Sequence, residues 1–173
     1  MHGEKAQIES LWDNRGNAKD IKYCPKEEDR FSDYIAWYLE DRLKNKGTIV
    51  NREVEIRKGQ ETDIHIVAVN PNTQDQIKII IEVKGCWHKD LKTAMQYQLV
   101  ETYLKDNQCP YGLYLVGWFL CDNWVDEDYR KSSTPSWNIE EAKTYFEDQA
   151  RTIKEQSDIS DLELKSYVLD THI

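Results

Sequence analysis

The stretch 62-TDIHIVAVNPNTQDQIKIIIEVKG-85 determines the fold that this sequence predicts. Residues 62–69 and 77–85 are rich in Ile and Val, as is typical of strands. The intervening residues 70–76 contain the Asn, Pro and Asp that favour a hairpin loop. We therefore predict two adjacent antiparallel strands joined by a turn.

This hairpin carries an unusual set of charged residues in its strands. Asp63 lies in the first strand, and Glu82 and Lys84 lie on one face of the second, because side chains alternate along a strand. Two neighbouring carboxylates repel each other unless a cation lies between them, and oxygen ligands suit Mg²⁺ or Mn²⁺. Lys84 is placed to polarise a water molecule or to stabilise charge on phosphorus. These groups are the ones that metal-assisted phosphodiester hydrolysis requires.

The hairpin is set among further predicted elements that alternate along the chain. Apolar periodicity predicts helices over 27–45, 89–106 and 138–156, and strands over 48–57, 111–120 and 162–170. Residues 1–26 lack a clear period and contain Gly16 and Pro25, so we interpret them as an N-terminal arm or linker. Residues 27–173 are predicted to form a single domain.

Asp63, followed about twenty residues later by Glu82-Val83-Lys84, resembles the PD-(D/E)XK signature of the restriction-endonuclease-like nuclease superfamily. The order of elements, a helix, three strands, a helix and a strand over residues 27–120, is similar to the core of that superfamily. The resemblance implies an α/β fold with three αβα layers and a central mixed sheet. The simpler alternative is an ordinary hairpin with an incidental Glu and Lys.

The resemblance also implies roles for the signature residues. Asp63 and Glu82 would hold Mg²⁺, or Mn²⁺ in its place, and the backbone carbonyl of Val83 would be a third ligand. Lys84 would orient or deprotonate the attacking water. The expected products of in-line displacement carry a 5′-phosphate and a 3′-hydroxyl.

The superfamily often adds an acid from the helix that precedes the hairpin. Glu28, which opens the predicted helix, is the first candidate for this catalytic role. A Glu at this position also interacts favourably with the helix dipole without any catalytic function. The same helix offers three rival acids: Asp29, Asp33 and Glu40.

Gln98 is a further candidate catalytic residue. It lies in 96-QYQLVETY-103, which resembles the Gln-and-Tyr motif of some exonuclease members of the superfamily. The usual spacing in that motif is four residues, whereas Tyr103 follows Gln98 by five. The alternative is that Gln98 is a solvated helix residue.

The charge distribution bears on nucleic-acid binding. The net charge is −9, but residues 122–173 account for −7 of it, and residues 42–58 hold six basic and two acidic side chains. Phosphate contacts need cations, and the candidates near the proposed site are His88, Lys89, Lys92 and Arg57. His88 is alternatively a hydrogen-bonded surface residue. For unpaired bases, Trp118, Trp124 and Trp137 are candidate stacking residues, with core packing as the alternative for Trp118.

The sequence contains no apolar run of the roughly 18 residues that a membrane span requires, and its first residues lack an apolar signal core. The four cysteines form no CxxC pair, so neither a zinc site nor a disulfide framework is indicated. We therefore expect a cytoplasmic protein with free thiols.

The function that this sequence predicts is Mg²⁺-dependent endonucleolytic cleavage of DNA. By analogy with the superfamily, we expect an effector module of restriction or antiphage defence. The low charge predicts that other domains or subunits supply DNA binding or activation, and a homo-oligomer is compatible with this interpretation. Two alternatives stay open: a non-catalytic interaction module on a nuclease-like scaffold, and an RNase.

Overall fold

The computed structural model describes residues 8–16, 21–44, 46–57, 60–69 and 72–173; for residues 53–57 and 60–62 it describes the backbone alone. Seven strands and four helices lie in these ranges, namely β1 (Trp12–Asn14), β2 (Tyr23–Pro25), α1 (Glu28–Leu43), β3 (Thr48–Arg57), β4 (Gln60–Val69), β5 (Gln76–Gly85), a π-helix (Met95–Leu104), β6 (Tyr111–Trp118), α2 (Tyr129–Ser133), α3 (Ile139–Gln156) and β7 (Glu163–Asp170). The predicted α/β class is confirmed.

The main sheet is mixed and has the strand order β3-β4-β5-β6-β7. Strands β3, β4 and β5 pair antiparallel, which confirms the predicted hairpin, while β5, β6 and β7 pair parallel. The carboxyl ends of β5 and its parallel neighbours therefore meet at one edge of the sheet. In α/β sheets this edge is where binding and catalytic residues most often lie.

Helices cover both faces of the sheet. On one face α1 packs so closely that a Cβ atom at Gly117 would lie 2.7 Å from the ring of Phe31. On the other face the π-helix lies beside Gly112, and Phe146 of α3 packs on Tyr114, with ring centroids 5.7 Å apart. The predicted three-layer αβα architecture is therefore confirmed.

The helices differ from the sequence prediction in two places. The helix predicted over 89–106 begins later and is a π-helix, in which the Thr102 hydroxyl donates to the Tyr97 carbonyl and the Lys105 N–H to the Val100 carbonyl, each five residues back. The short helix α2 was not predicted, because five residues are too few for a detectable period. None of the helices in the described residues is long and apolar enough to cross a membrane.

The N-terminal segment is part of the domain, and our prediction of an arm or linker over residues 1–26 is corrected for the residues described. Strands β1 and β2 form a two-stranded antiparallel sheet, and Leu11 and Trp12 are buried in the core. The Trp12 Nε1–H donates to the Thr171 carbonyl at 2.9 Å, just beyond β7. The segment packs through the adjacent residues Leu11 and Trp12 rather than through a periodic face, so its pattern gave no signal.

Candidate active site

Asp63 and Glu82 lie side by side on neighbouring strands. Ile64 of β4 pairs with Ile81 of β5 in an antiparallel ladder. Asp63, which precedes Ile64, therefore lies next to Glu82, which follows Ile81. The Val83 N–H donates to Asp63 Oδ2 at 2.8 Å, which fixes the orientation of this carboxylate. The predicted juxtaposition of the two acids follows directly from the register of the hairpin.

Lys84 joins the acids as a buried counter-ion. Its Nζ atom lies 2.5 Å from Glu82 Oε1 and 3.6 Å from Glu28 Oε1. The side chains of Lys84 and Glu82 are only 7% and 2% exposed, so water screens this ion pair poorly. The structure thus brings together four residues that the sequence predicted for the site.

Glu28 is the acid of α1 that reaches this cluster. Its Oε2 atom accepts the Gly85 N–H at 2.7 Å, which ties the start of α1 to the end of β5. Its rival Asp33 instead pairs with Arg30 and Arg52. The position of Glu28 in the first turn directs its side chain over the sheet edge, whereas Glu40 lies three turns further along the helix.

His88 lies at the border of the cluster. Its Nδ1 atom accepts the Asp90 N–H at 3.0 Å, so in the neutral ring the proton is on Nε2. Nε2 lies 3.8 Å from Glu28 Oε1. Burial and the positive charge of Lys84 lower the pKa of His88, so the ring is neutral at physiological pH.

Burial and mutual repulsion disturb the ionisation of all three acids. Burial raises the pKa of Asp63 and of Glu28. Burial and the neighbouring Asp63 charge together raise the pKa of Glu82 to about 8. Although burial alone would lower the pKa of Lys84, the charges of Glu82, Glu28 and Asp63 raise it, so the amine is protonated. Because Asp63 and Glu82 lie side by side and each charge raises the cost of the other, their ionisations are coupled.

The donor atoms fit a hard divalent cation. Mg²⁺ is commonly held through one or two carboxylates and several waters, and Asp63 and Glu82 supply two carboxylates. Glu82 Oε2 is buried without a hydrogen-bond partner among the described residues. No group of three or more His, Cys, Asp or Glu in the same part of the chain is arranged to hold a metal ion, and the Lys84 amine lies between Glu82 and Glu28. The arrangement fits a two-carboxylate site rather than a cage of protein ligands.

The remaining predicted residues lie around the cluster at different places. Lys89 and Lys92 are exposed on the loop that follows β5, with Lys92 Nζ 4.7 Å from the centroid of the Trp137 ring. The side chain of Arg57 falls outside the described residues. Gln98 lies on the π-helix with its Oε1 buried, and within the described residues this atom has no hydrogen-bond partner.

The π-helix bears on the spacing of Gln98 and Tyr103. Residues four apart share a face of an α-helix, whereas bonding to the fifth residue in a π-helix places residues five apart above one another. Both residues lie within Met95–Leu104, where this bonding occurs. Their five-residue spacing is therefore compatible with a shared face.

Two of the three tryptophans considered for base stacking are excluded by burial. Trp118 and Trp124 are 1% and 0% exposed and belong to the core. Trp137 is partly buried and packs against Trp118 and Tyr145, with ring centroids 6.2 and 4.6 Å away. Trp137 therefore stays a candidate for stacking, whereas Trp118 and Trp124 do not.

A buried cluster around Arg130, which sequence reasoning missed, supports the position of Glu28. The Arg130 guanidinium donates to Asp128, lies 3.3 Å from Glu27, and is 5.2 Å from the centroid of the Trp87 ring. Although burial alone would raise the pKa of Asp128, hydrogen bonds from Arg130 and Trp124 lower it to about 2. The available signal was the sequence 128-DYR-130, in which an Asp precedes a short helix as an N-cap.

Trp87 connects this cluster to the strand that carries the site. Its ring lies so close to Gly85 that an added Cβ atom would be 2.7 Å from it. Gly85 in turn donates its N–H to Glu28. The glycine is needed because a side chain would push Trp87 away from the end of β5.

Comparison with known proteins identifies a family without assigning a function. No curated protein and no solved structure matches the chain. A family model described as "Domain of unknown function (DUF8371)" matches residues 5–120, which include β1, β2, α1 and the strands that carry Asp63, Glu82 and Lys84. This match covers more than half of the chain, and the chain therefore belongs to the DUF8371 domain family.

Proposed function

We propose that this protein is a Mg²⁺-dependent nuclease that hydrolyses phosphodiester bonds of DNA. Its proposed biological role is that of an endonuclease effector in restriction or antiphage defence. One observation carries the proposal. Three carboxyl groups, from Asp63, Glu82 and Glu28, surround a single amine, Lys84, in a buried site at the sheet edge. Ionised together they leave two uncompensated negative charges, which a divalent cation balances.

The side chains divide the work of hydrolysis. Bound Mg²⁺ would supply Lewis-acid stabilisation of charge that develops on the phosphate. Asp63 and Glu82, with the Val83 carbonyl as a further ligand, would hold it. Because its raised pKa keeps Lys84 protonated, its amine is suited to donating hydrogen bonds to a phosphate oxygen or to orienting the attacking water, and not to removing a proton.

Glu28 and His88 add positioning groups at the border of the site. Glu28 has an elevated pKa and a fixed orientation through Gly85, so it can orient a water molecule and accept a proton from it. The neutral His88 carries its proton on Nε2, which lies 3.8 Å from Glu28 Oε1 and is near enough to contact a water molecule held there.

The charge of the whole chain limits how strongly it holds a polyanion. A net charge of −9 repels DNA, and a few local lysine contacts lose affinity quickly as salt rises. We therefore propose that other domains or subunits tether the substrate, which raises its local concentration without changing the catalytic groups. Assays of the domain alone require high protein concentration and low salt.

Direct incubation with nucleic acid tests the function. Purified protein is mixed with supercoiled plasmid, single-stranded DNA and RNA in Mg²⁺, Mn²⁺ or EDTA. We expect cleavage of DNA in either metal and none in EDTA, with loss of cleavage in Asp63→Asn. Preferential cleavage of RNA would show that RNA, and not DNA, is the substrate. The absence of cleavage at every protein and metal concentration would contradict the nuclease proposal.

Divalent cations will also stabilise the fold. Binding to the native state alone contributes about 2.7 kcal/mol at a metal concentration one hundred times the dissociation constant. We expect Mg²⁺ and Mn²⁺ to raise the melting temperature of the wild type and not that of Asp63→Asn, because the variant lacks one ligand. Asp122→Asn, which changes an exposed loop acid, is the matched control and should respond like the wild type. Equal stabilisation of wild type and Asp63→Asn contradicts the metal site.

A further inference from the structure

A groove of about 620 Å³ opens beside the candidate active site. Glu28 and His88, which border the candidate active site, are among the residues that line it. Its lining also includes Lys89 and Lys92, from the loop after β5, and Tyr129, from helix α2. We call this feature the Tyr129 groove; its volume falls in the range of pockets that enclose small ligands.

The floor of the Tyr129 groove is rigid. Trp87 forms part of it and packs against Phe119 and Trp124, with ring centroids 5.1 and 5.8 Å away. The Arg130 guanidinium lies against the same ring. The groove is therefore preformed, and a ligand that enters it does not have to order the floor.

Tyr129 is the feature that points to a ligand. Its side chain is 76% exposed, although it lies between two residues that are held firmly, Asp128 and Arg130. Core packing therefore does not account for an aromatic ring at this position. A ring on a fixed segment beside a groove offers a flat surface for stacking.

The exposed lysines of the groove favour an anion. Lys89 and Lys92 are exposed there, on the loop between the active site and the π-helix. The two acids of the groove are engaged elsewhere, Glu27 with Arg130 and Glu28 with Lys84. Tyr129 lines the same groove, which therefore combines cationic and aromatic side chains.

We propose that the Tyr129 groove binds an unpaired nucleotide next to the scissile phosphate, so that the substrate is a single strand, a flap or a frayed end. The base stacks on Tyr129, and the adjoining phosphates contact Lys89 and Lys92. In an intact duplex the base faces are covered by neighbouring base pairs, and Tyr129 has nothing to stack on. This inference rests on the proposed nuclease function for its biological meaning, but its binding test does not.

Fluorescence anisotropy with labelled oligonucleotides in low salt and EDTA measures the binding. Wild type should bind single-stranded DNA more tightly than the duplex of the same sequence. Tyr129→Ala should weaken single-strand binding about fivefold to a hundredfold, since stacking contributes about 1–3 kcal/mol per base. Tyr129→Phe should retain the affinity because the ring remains. Tyr167→Ala, which removes an exposed tyrosine of β7, is the matched control. The same titration with single-stranded RNA shows whether the groove prefers deoxyribose or ribose.

Cleavage assays separate failure of this inference from failure of the proposed function. If Tyr129→Ala binds single strands as well as wild type, or if wild type prefers duplex, the groove assignment is wrong, and metal-dependent cutting of plasmid would still support the nuclease. If single-strand binding depends on Tyr129 but no metal-dependent cleavage occurs, the groove assignment holds and the nuclease proposal fails. Because Tyr129 is exposed, its variants should melt at the wild-type temperature.

Discussion

Replacing Lys84 with alanine will reduce the rate of Mg²⁺-dependent DNA cleavage by at least about a hundredfold, the usual loss when a group that stabilises a transition state is removed. The physical reason is the position of its amine, 2.5 Å from Glu82 and 3.6 Å from Glu28 in a site that water barely reaches. The change should appear in the rate of cleavage of bound substrate. DNA affinity should change little, because Lys84 is buried and Lys89 is exposed.

Removing a buried cation also leaves carboxylates without a partner, so the fold of the variant must be checked. Lys84→Met, which keeps most of the side-chain volume, serves as a second variant, and circular dichroism with thermal melting establishes that both variants are folded. Lys78→Ala is the matched control, since it changes a lysine at the other end of the same strand. Folded Lys84 variants that cut plasmid as fast as wild type would place catalysis at another centre.

The metal-free protein will lose stability as pH rises from 6.5 to 8, which is opposite to the usual behaviour of acidic residues. The pKa of Glu82 is raised from 4.5 to about 8 in the folded state. A group whose pKa is higher in the folded state stabilises the fold below its unfolded pKa, and this stability is lost as pH rises through the folded pKa. At about 1.4 kcal/mol per pKa unit, the loss over this window is about 2 kcal/mol.

Asp63 and Glu28, whose pKa values burial also raises, contribute a loss of the same sign, whereas Lys84 and His88 do not. Lys84 is charged in both states below its unfolded pKa of 10.5, so its raised pKa adds a constant to the stability. The pKa of His88 is lowered from 6.5 in the fold, so this residue adds only a small change of the opposite sign near pH 6.5. Urea denaturation in EDTA at the two pH values measures the effect. Glu82→Gln should flatten the dependence, and an equal loss in wild type and Glu82→Gln would contradict the assigned ionisation.

The core of the candidate site was predictable because it depends on local patterns. Asp63, Glu82 and Lys84 interrupt two apolar strands, and the hairpin that joins those strands fixes which residues lie side by side. The choice of Glu28 among the acids of α1 was open, because it depends on a hydrogen bond with Gly85, 57 residues away. The chemistry assigned to these residues stays a prediction, as does the resemblance to the nuclease superfamily.

The features that sequence reasoning missed depend on distant or very short segments. Helix α2 has five residues, and what fixes it in place is the contact of Arg130 with Asp128, Glu27 and Trp87. The π-helix follows from hydrogen bonds to the fifth residue, which an apolar period of the α-helical type does not reveal. Helix α2 borders the Tyr129 groove, and the π-helix lies in a helical layer beside the sheet that carries the site. The surroundings of the proposed catalytic residues were therefore less predictable than the residues themselves.

The hydrogen bond from Trp12 to Thr171 has a consequence for folding kinetics. It joins residues 159 positions apart in the sequence. The entropy of closing so long a loop must be overcome before this contact contributes any stability, and contacts of this kind slow folding. We therefore expect the sheet of β1 and β2 to dock last, after β7 has added to the main sheet. Its amide protons should accordingly gain protection from hydrogen exchange later than those of β5 and β6.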